Sequence, residues 1–124
     1  MKKVSVIMST YKTEESILNE AIDSILKQSY QNIELIIVCD GDKEEYNRIK
    51  EIKNPKIKVL FNETNKGLPY SLHLAIKNST GDYIARMDSD DIAIEDRIEK
   101  QFNFMEEHKE IGICGTNAIL FIWV

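Results

Sequence analysis

Ile33-Glu34-Leu35-Ile36-Ile37-Val38-Cys39 is the stretch of this chain that decides the fold. It is an apolar, strand-like run, and the acidic turn Asp40-Gly41-Asp42 follows it at once. Such runs are typical of strands that are buried on both faces of a parallel sheet, where helices cover each side. The stretch therefore predicts an α/β protein.

The rest of the chain alternates between strand-like and helix-like patterns around this run. In residues 14–27, apolar side chains recur at steps of four and form one broad helix face, with Thr13 as the expected N-cap. In the third helix, Leu72 and Ile76 are expected to face inward. The alternation predicts a doubly wound, mostly parallel sheet flanked by helices, with no domain boundary inside residues 1–124. The predicted strands are residues 3–8, 33–39, 57–61, 83–87 and 113–124, and the predicted helices are residues 14–27, 44–52, 69–78 and 95–108.

Composition narrows the class of protein. The 124 residues are 43% apolar, carry a net charge of -5, and spread their 16 basic residues without a basic stripe, so nucleic acid is not an expected partner. Cys39 and Cys114 lie in apolar runs without C-x-x-C spacing, which indicates a reduced, buried pair in a cytoplasmic protein. No signal peptide and no membrane-spanning stretch are predicted.

Polar residues follow each of the first four predicted strands. Ligands of doubly wound proteins bind beyond the carboxyl ends of the strands, so we expect these four loops to converge on one rim of the sheet. They comprise Ser9 to Tyr11, Asp40 to Asp42, Asn62 with Asn65 to Gly67, and Asp88 to Asp91.

The last of these loops has the composition of a metal site. Asp88 and Asp90 stand two positions apart after a strand, so both side chains can point to one side. Oxygen ligands from one or two carboxylates, completed by substrate phosphates, suit Mg²⁺ or Mn²⁺. A solvated acidic loop is the alternative. A calcium loop of the EF-hand type fits poorly, because Ile92 and Ala93 occupy the positions that need an oxygen ligand and a glycine.

Several common catalytic signatures are absent from the sequence. There is no G-x-G-x-x-G or P-loop pattern, no Cys/His spacing for zinc, and no G-x-S-x-G elbow. Residues 9–12 do not resemble the Gly-rich phosphate loop of a nucleotidyltransferase. These absences disfavour dinucleotide, P-loop phosphoryl-transfer and serine-hydrolase chemistry.

Four blocks of sequence, in order, resemble the family 2 glycosyltransferases of the GT-A fold. They are VSVIMSTY (residues 4–11), QSYQNIELIIV (28–38), NKGL (65–68) and GDYIARMDSDD (81–91). The resemblance extends from residue 3 to about residue 121. It implies that residues 1–124 are the part of a glycosyltransferase domain that binds a nucleoside diphosphate sugar, usually a UDP-sugar.

The resemblance also implies roles for individual residues. Asp40 matches the acid that hydrogen-bonds the base, and Ser9 and Tyr11 match the loop against the base and ribose. Asp88 and Asp90 match the two ends of the D-x-D motif, with Asp90 as the direct ligand of Mn²⁺ or Mg²⁺ and Asp88 near the metal or the ribose.

Two cations, Lys66 and Arg86, lie near the same predicted rim. Either can approach the diphosphate, and the alternative for each is a structural ion pair. The chain departs from the family pattern after the second strand, where Cys39 replaces an acid and Asp42 replaces a serine.

The acceptor part and the catalytic base are expected in a second half that these residues do not supply. The implied reaction is metal-assisted sugar transfer to an unidentified acceptor hydroxyl in cell-surface polysaccharide or glycoconjugate synthesis. Peripheral association of the full-length protein with the inner face of the membrane would fit it. The apolar residues 118–124 suggest a homodimer, and a non-catalytic nucleotide-binding or assembly module is the alternative function.

Overall fold

A computed structural model describes residues 1–117 as a four-stranded sheet with four helices. The strands are β1 (Val4–Thr10), β2 (Ile33–Asp40), β3 (Ile57–Asn62) and β4 (Tyr83–Arg86), and the helices are α1 (Glu15–Leu26), α2 (Lys43–Lys50), α3 (Leu68–Lys77) and α4 (Arg97–Glu107). All pairings are parallel and the strand order is β3-β2-β1-β4. The predicted α/β fold is confirmed.

The strand β2 lies at the centre of the core, as its apolar run predicts. Leu35 and Ile37 point into the larger apolar cluster, with residues of α1, α2 and α4, whereas Ile36 points into the smaller cluster with α3. These three side chains have no solvent exposure, and burying each contributes about 1.5–3 kcal/mol. Helices therefore cover both faces of the sheet.

Helix α3 meets the sheet through two small side chains and through Leu72, which is one of the two residues predicted to face inward. Ser71 and Ala75 are fully buried, and Leu72 is half-buried against the smaller cluster. The prediction for Ile76 is wrong, because its side chain is 46% exposed. The buried face of α3 therefore runs through Ser71 and Ala75, and Ile76 lies beside it on the solvent side.

Two other predictions need correction. Ile113 to Asn117 do not form a strand, and residues 118–124, including the apolar segment predicted to pair in a homodimer, lie outside the described residues. Both cysteines are free as predicted, but only Cys39 is buried, since Cys114 is half-exposed.

At the amino ends of the strands, Gly81 packs directly against β1. A Cβ atom at this position would lie 2.5 Å from Ser5 Oγ and 2.7 Å from Ser5 N. The Gly81 amide donates to Ser5 Oγ at 2.8 Å, and that hydroxyl donates to the Glu34 carboxylate at 2.9 Å. The glycine is therefore needed for close backbone approach, and not as the cap of α3.

Candidate functional site

The carboxyl ends of β1 and β4 lie side by side, at the place where the strand order of the sheet reverses. The chain passes from β1 to β2 on one side and places β4 on the other side of β1, which is the position where doubly wound folds bind ligands. Ile7 is the register partner of Arg86, and Met87 N donates to Ile7 O at 3.1 Å. The acidic loop after β4 consequently runs beside the end of β1.

The acidic loop brings three carboxylates together, and we call Asp88, Asp90 and Asp91 the acidic cluster. One carboxylate oxygen from each lies within 4.8 Å of the others, and all three residues are exposed. Partial burial, followed by the negative charges of Asp88 and Asp90, raises the pKa of Asp91. Grouped carboxylate oxygens of this kind can hold a hard divalent cation.

Arg86 forms an ion pair, which is the alternative role that the sequence analysis gave it. Its Nη2 atom lies 3.6 Å from Asp88 Oδ1, and both side chains are more than half exposed. An exposed pair of this kind contributes little to stability. Its effect is instead to place one positive charge beside the acidic cluster.

The loop after β1 is held by a network of hydroxyl groups. Thr13 Oγ1 lies 2.8 Å from Thr10 Oγ1 and 2.8 Å from Ser89 Oγ, inside the acidic loop. The prediction of Thr13 as the α1 cap is wrong, because Glu14 occupies the N-cap position, without a side-chain cap bond. The side chain of Thr13 makes tertiary hydrogen bonds instead.

The network ends on a buried carboxylate that the sequence analysis missed. Glu45 is 1% exposed, and its Oε2 atom accepts from Thr10 Oγ1 and from Thr13 N, both at 3.0 Å. Burial raises the pKa of Glu45, and the nearby charge of Asp42 adds to this effect. In the sequence, Glu45 resembles the other charged residues of a surface helix. Its burial depends on hydrogen bonds from Thr10 and Thr13, which are 35 and 32 residues away in the chain.

Asp40 lies in the floor of the site, at the end of β2. It is 3% exposed, and its Oδ1 atom accepts from Asn62 Nδ2 at 2.9 Å and Lys66 N at 2.7 Å. Its Oδ2 atom accepts from Gly67 N at 3.0 Å. Burial alone would raise the pKa of Asp40, but these hydrogen bonds outweigh it and hold the pKa below its usual value.

The turn after Asp40 packs against the loop that follows β3. Gly41 has φ 109°, and a Cβ atom there would lie 2.7 Å from Asn65 N. Asp42 caps α2 by accepting from Glu44 N at 3.1 Å and Glu45 N at 3.4 Å, the cap role that serine and aspartate share. The ends of β2 and β3 are thus joined to residues 64–67 by hydrogen bonds and close backbone contact.

Exposed aromatic and basic side chains belong to the same loops. Tyr11 is 47% exposed and Lys12 Nζ lies 5.4 Å from the centre of its ring. Lys66 is exposed, and its Nζ lies 5.9 Å from the ring centre of Tyr70. Ser9 is half-buried at the end of β1. Ser9 and Asp40 therefore lie at the carboxyl ends of β1 and β2, whereas Tyr11, Lys66 and Asp88 lie in the loops after β1, β3 and β4. Among the described residues, no hydrogen bond joins Tyr11 to Asp40.

Comparison with known proteins identifies the family to which this fold belongs. Residues 5–119 match the model of glycosyl transferase family 2, so the chain belongs to that family.

Two relatives illustrate the match. EpsE of Bacillus subtilis (strain 168), provisionally named a glycosyltransferase, is 43% identical over 123 residues, covering 96% of this chain and 44% of EpsE. WfgD of Escherichia coli is named UDP-Glc:alpha-D-GlcNAc-diphosphoundecaprenol beta-1,3-glucosyltransferase. It is 42% identical over 119 residues, covering 94% of this chain and 46% of WfgD. The chain spans less than half the length of these two relatives.

A solved structure also matches. Residues 1–349 of S. aureus TarS in complex with UDP superpose with a TM-score of 0.77 at 29% identity, covering 86% of this chain and 33% of that chain. The same protein in complex with UDP-GlcNAc gives a TM-score of 0.76 at 30% identity, with 86% and 32% covered. The GT-A fold predicted from the sequence is confirmed.

Proposed function

We propose that this chain is the donor-binding part of an enzyme that transfers a sugar from a nucleoside diphosphate, of which UDP is the leading candidate, to an acceptor hydroxyl. The observation that carries the proposal is the acidic cluster beside the end of β1, at the point where the strand order reverses. The complexes of TarS with UDP and UDP-GlcNAc support the donor class.

Asp90 is the proposed direct ligand of Mn²⁺ or Mg²⁺, and Asp88 lies beside it as a second ligand or a ribose contact. The grouped carboxylates fit such a cation, because they supply hard oxygen atoms without soft sulfur or nitrogen ligands. When bound, the cation neutralises charge that develops on the leaving diphosphate. Asp88 and Asp90 would hold it, and Arg86 would limit the excess negative charge of the loop.

The nucleotide is proposed to lie across the ends of β1 and β2. Tyr11 offers an exposed ring for stacking on the base, and Ser9 offers a hydroxyl nearby. Asp40 is the proposed contact for the base. Two of the hydrogen bonds that Asp40 accepts also hold the backbone of Lys66 and Gly67, which supports an approach of the exposed Lys66 ammonium to the diphosphate.

The acceptor site and the base are proposed to belong to a further part of the full-length protein. The name of the WfgD relative specifies a diphosphoundecaprenol acceptor, which supports cell-surface glycoconjugate synthesis at the inner face of the membrane. Among residues 1–117, no helix combines the length and the apolar character that crossing a bilayer requires. We propose peripheral association of the whole protein with the membrane, because the name of the WfgD relative specifies a lipid-linked acceptor.

Calorimetric titration of UDP, with and without Mn²⁺, tests the proposal. We expect wild-type protein to bind UDP more tightly with Mn²⁺, and Asp90→Asn to lose that enhancement. Asp23→Asn, which removes the same charge from an exposed position of α1, is the matched control and should bind like wild type. Equal UDP affinity in all conditions would remove the metal site from the proposal, and no UDP binding at all would refute the donor site.

A non-catalytic nucleotide-binding or assembly module is the second candidate. It is favoured by the apolar sequence of residues 118–124, which we propose to pair in a homodimer. Sedimentation velocity at high protein concentration distinguishes the candidates, because a well-behaved monomer would contradict the assembly role.

A further inference from the structure

Three hydroxyl groups connect the acidic cluster to the buried Glu45. Ser89 lies between Asp88 and Asp90 in the chain, and its Oγ is 2.8 Å from Thr13 Oγ1. Thr13 Oγ1 is 2.8 Å from Thr10 Oγ1, which in turn donates to Glu45 Oε2 at 3.0 Å. The path crosses from β4 to β1 and on to α2. We call Ser89, Thr13, Thr10 and Glu45 the hydroxyl chain.

The carboxylate at one end sets the direction of every hydrogen bond in the hydroxyl chain. A hydroxyl has one proton to donate. Because the Thr10 hydroxyl donates its proton to Glu45, it accepts a hydrogen bond from the Thr13 hydroxyl. The Thr13 hydroxyl in turn accepts a hydrogen bond from the Ser89 hydroxyl. The hydrogen bond to Thr13 therefore constrains the side chain and the hydroxyl of Ser89. The backbone on either side of Ser89 carries the two candidate ligands.

Two unfavourable features accompany this arrangement. Glu45 Oε1 is buried and has no hydrogen-bond partner among residues 1–117, although an unpaired buried polar atom is costly. Lys12, next to Thr13, has φ 54°, which is uncommon for a residue other than glycine. Such costs persist where the surrounding structure enforces them, and they cluster at functional sites.

We propose that Glu45 is a positioning residue, which acts through Thr10 and Thr13 to fix Ser89 and so holds Asp88 and Asp90 in the arrangement that binds a divalent cation. This inference rests on the proposed function of the acidic cluster as a cation site. Glu45 itself touches neither the cation nor the donor.

Mn²⁺ binding, followed by the electron paramagnetic resonance signal of free Mn²⁺ in the presence of UDP, tests the hydroxyl chain. Thr13→Val removes the hydroxyl and keeps the shape, whereas Thr13→Ser keeps the hydroxyl. We expect Thr13→Val to weaken Mn²⁺ binding by about 2- to 10-fold, the worth of one hydrogen bond, and Thr13→Ser to restore it. Thr80→Val is the matched control, because Thr80 Oγ1 donates to Glu34 Oε1 at 2.7 Å at the opposite end of the sheet.

Variants of Glu45 add a second arm. Glu45→Gln keeps an oxygen that can accept from Thr10 and Thr13, so it should bind Mn²⁺ more tightly than Glu45→Leu, which keeps none. If Glu45→Leu does not fold, the comparison of the two Thr13 variants still decides the matter.

The outcomes separate this inference from the proposed function. If wild type binds Mn²⁺, Asp90→Asn does not, and Thr13→Val binds like wild type, the positioning role is overturned and the cation site stands. Weak binding by both Thr13→Val and Thr13→Ser would also overturn it, since shape rather than the hydroxyl would then matter. If wild-type protein does not bind Mn²⁺, the cation site and the positioning role both fall.

Discussion

Replacing Asp40 with asparagine should destabilise the protein far more than the loss of one charge would suggest. The carboxylate accepts two hydrogen bonds on Oδ1 and one on Oδ2. An asparagine can keep an oxygen at the Oδ1 position only if its NH₂ group takes the Oδ2 position and faces the Gly67 N–H group. The Gly67 N–H group would then have no acceptor, which costs about 1–3 kcal/mol. Loss of the negative charge also weakens the two remaining hydrogen bonds by roughly half. We expect a total loss of about 2–4 kcal/mol in the free energy of unfolding.

Urea denaturation of Asp40→Asn at pH 7 measures this loss, with an unchanged m-value as evidence that both variants unfold in two states. Asp42→Asn is the matched control. It removes the neighbouring charge from the α2 cap, where asparagine serves as well as aspartate, so we expect a change below about 0.5 kcal/mol. An Asp40→Asn protein as stable as Asp42→Asn would refute the view that Asp40 fixes the loop of Lys66.

The pH dependence gives a second check on Asp40. Its pKa is lowered in the folded protein, so its contribution is present above the unfolded value of about 3.9 and is lost as pH falls through the lower folded value. The stability difference between wild type and Asp40→Asn should therefore shrink in that acidic range. A difference that stayed constant down to the acid transition would contradict the cause assigned to the pKa shift.

Three further predictions concern stability and reactivity. Gly81→Ala should cost about 1–3 kcal/mol by overpacking, whereas Gly112→Ala, where a Cβ would meet nothing within 4 Å, should change the urea midpoint little. Wild type should gain stability relative to Glu45→Gln as pH falls through the raised pKa of the folded state toward the unfolded value of about 4.3, because the folded state binds the proton more tightly; an opposite slope in urea titrations would contradict the burial of Glu45. Burial raises the pKa of Cys39 to about 12, so a thiol reagent should label Cys114 in the native protein and Cys39 only after unfolding, as peptide mass spectrometry would detect.

Local patterns in the sequence predict the α/β class and the first four strands. The run at residues 33–39 predicted a central strand because burial on both faces leaves no room for alternation, and β2 is that strand. Asp88 and Asp90 were found because two carboxylates after an apolar run are visible in one short segment. The rim followed from the general rule that loops at the carboxyl ends of parallel strands share one edge of the sheet.

The contacts within the site could not be read from the sequence. Thr13 was assigned as a helix cap on local grounds, whereas its actual partner Ser89 is 76 positions away. Glu45 has the sequence environment of an exposed helix, and only its two threonine partners make it a buried acceptor. Ile76 was placed in the core because it lies one turn after Leu72, but the small Ser71 and Ala75 set the closer contact with the sheet. Each difference arises from tertiary packing that overrides a local preference.

A crystal structure of the protein soaked with UDP and Mn²⁺ tests the central claim most directly. The account predicts density for Mn²⁺ against the Asp90 carboxylate, with the diphosphate beside it and the uracil over the ends of β1 and β2. Density for the ion or the nucleotide elsewhere on the molecule, or ordered UDP without Mn²⁺ at the acidic cluster, would contradict it.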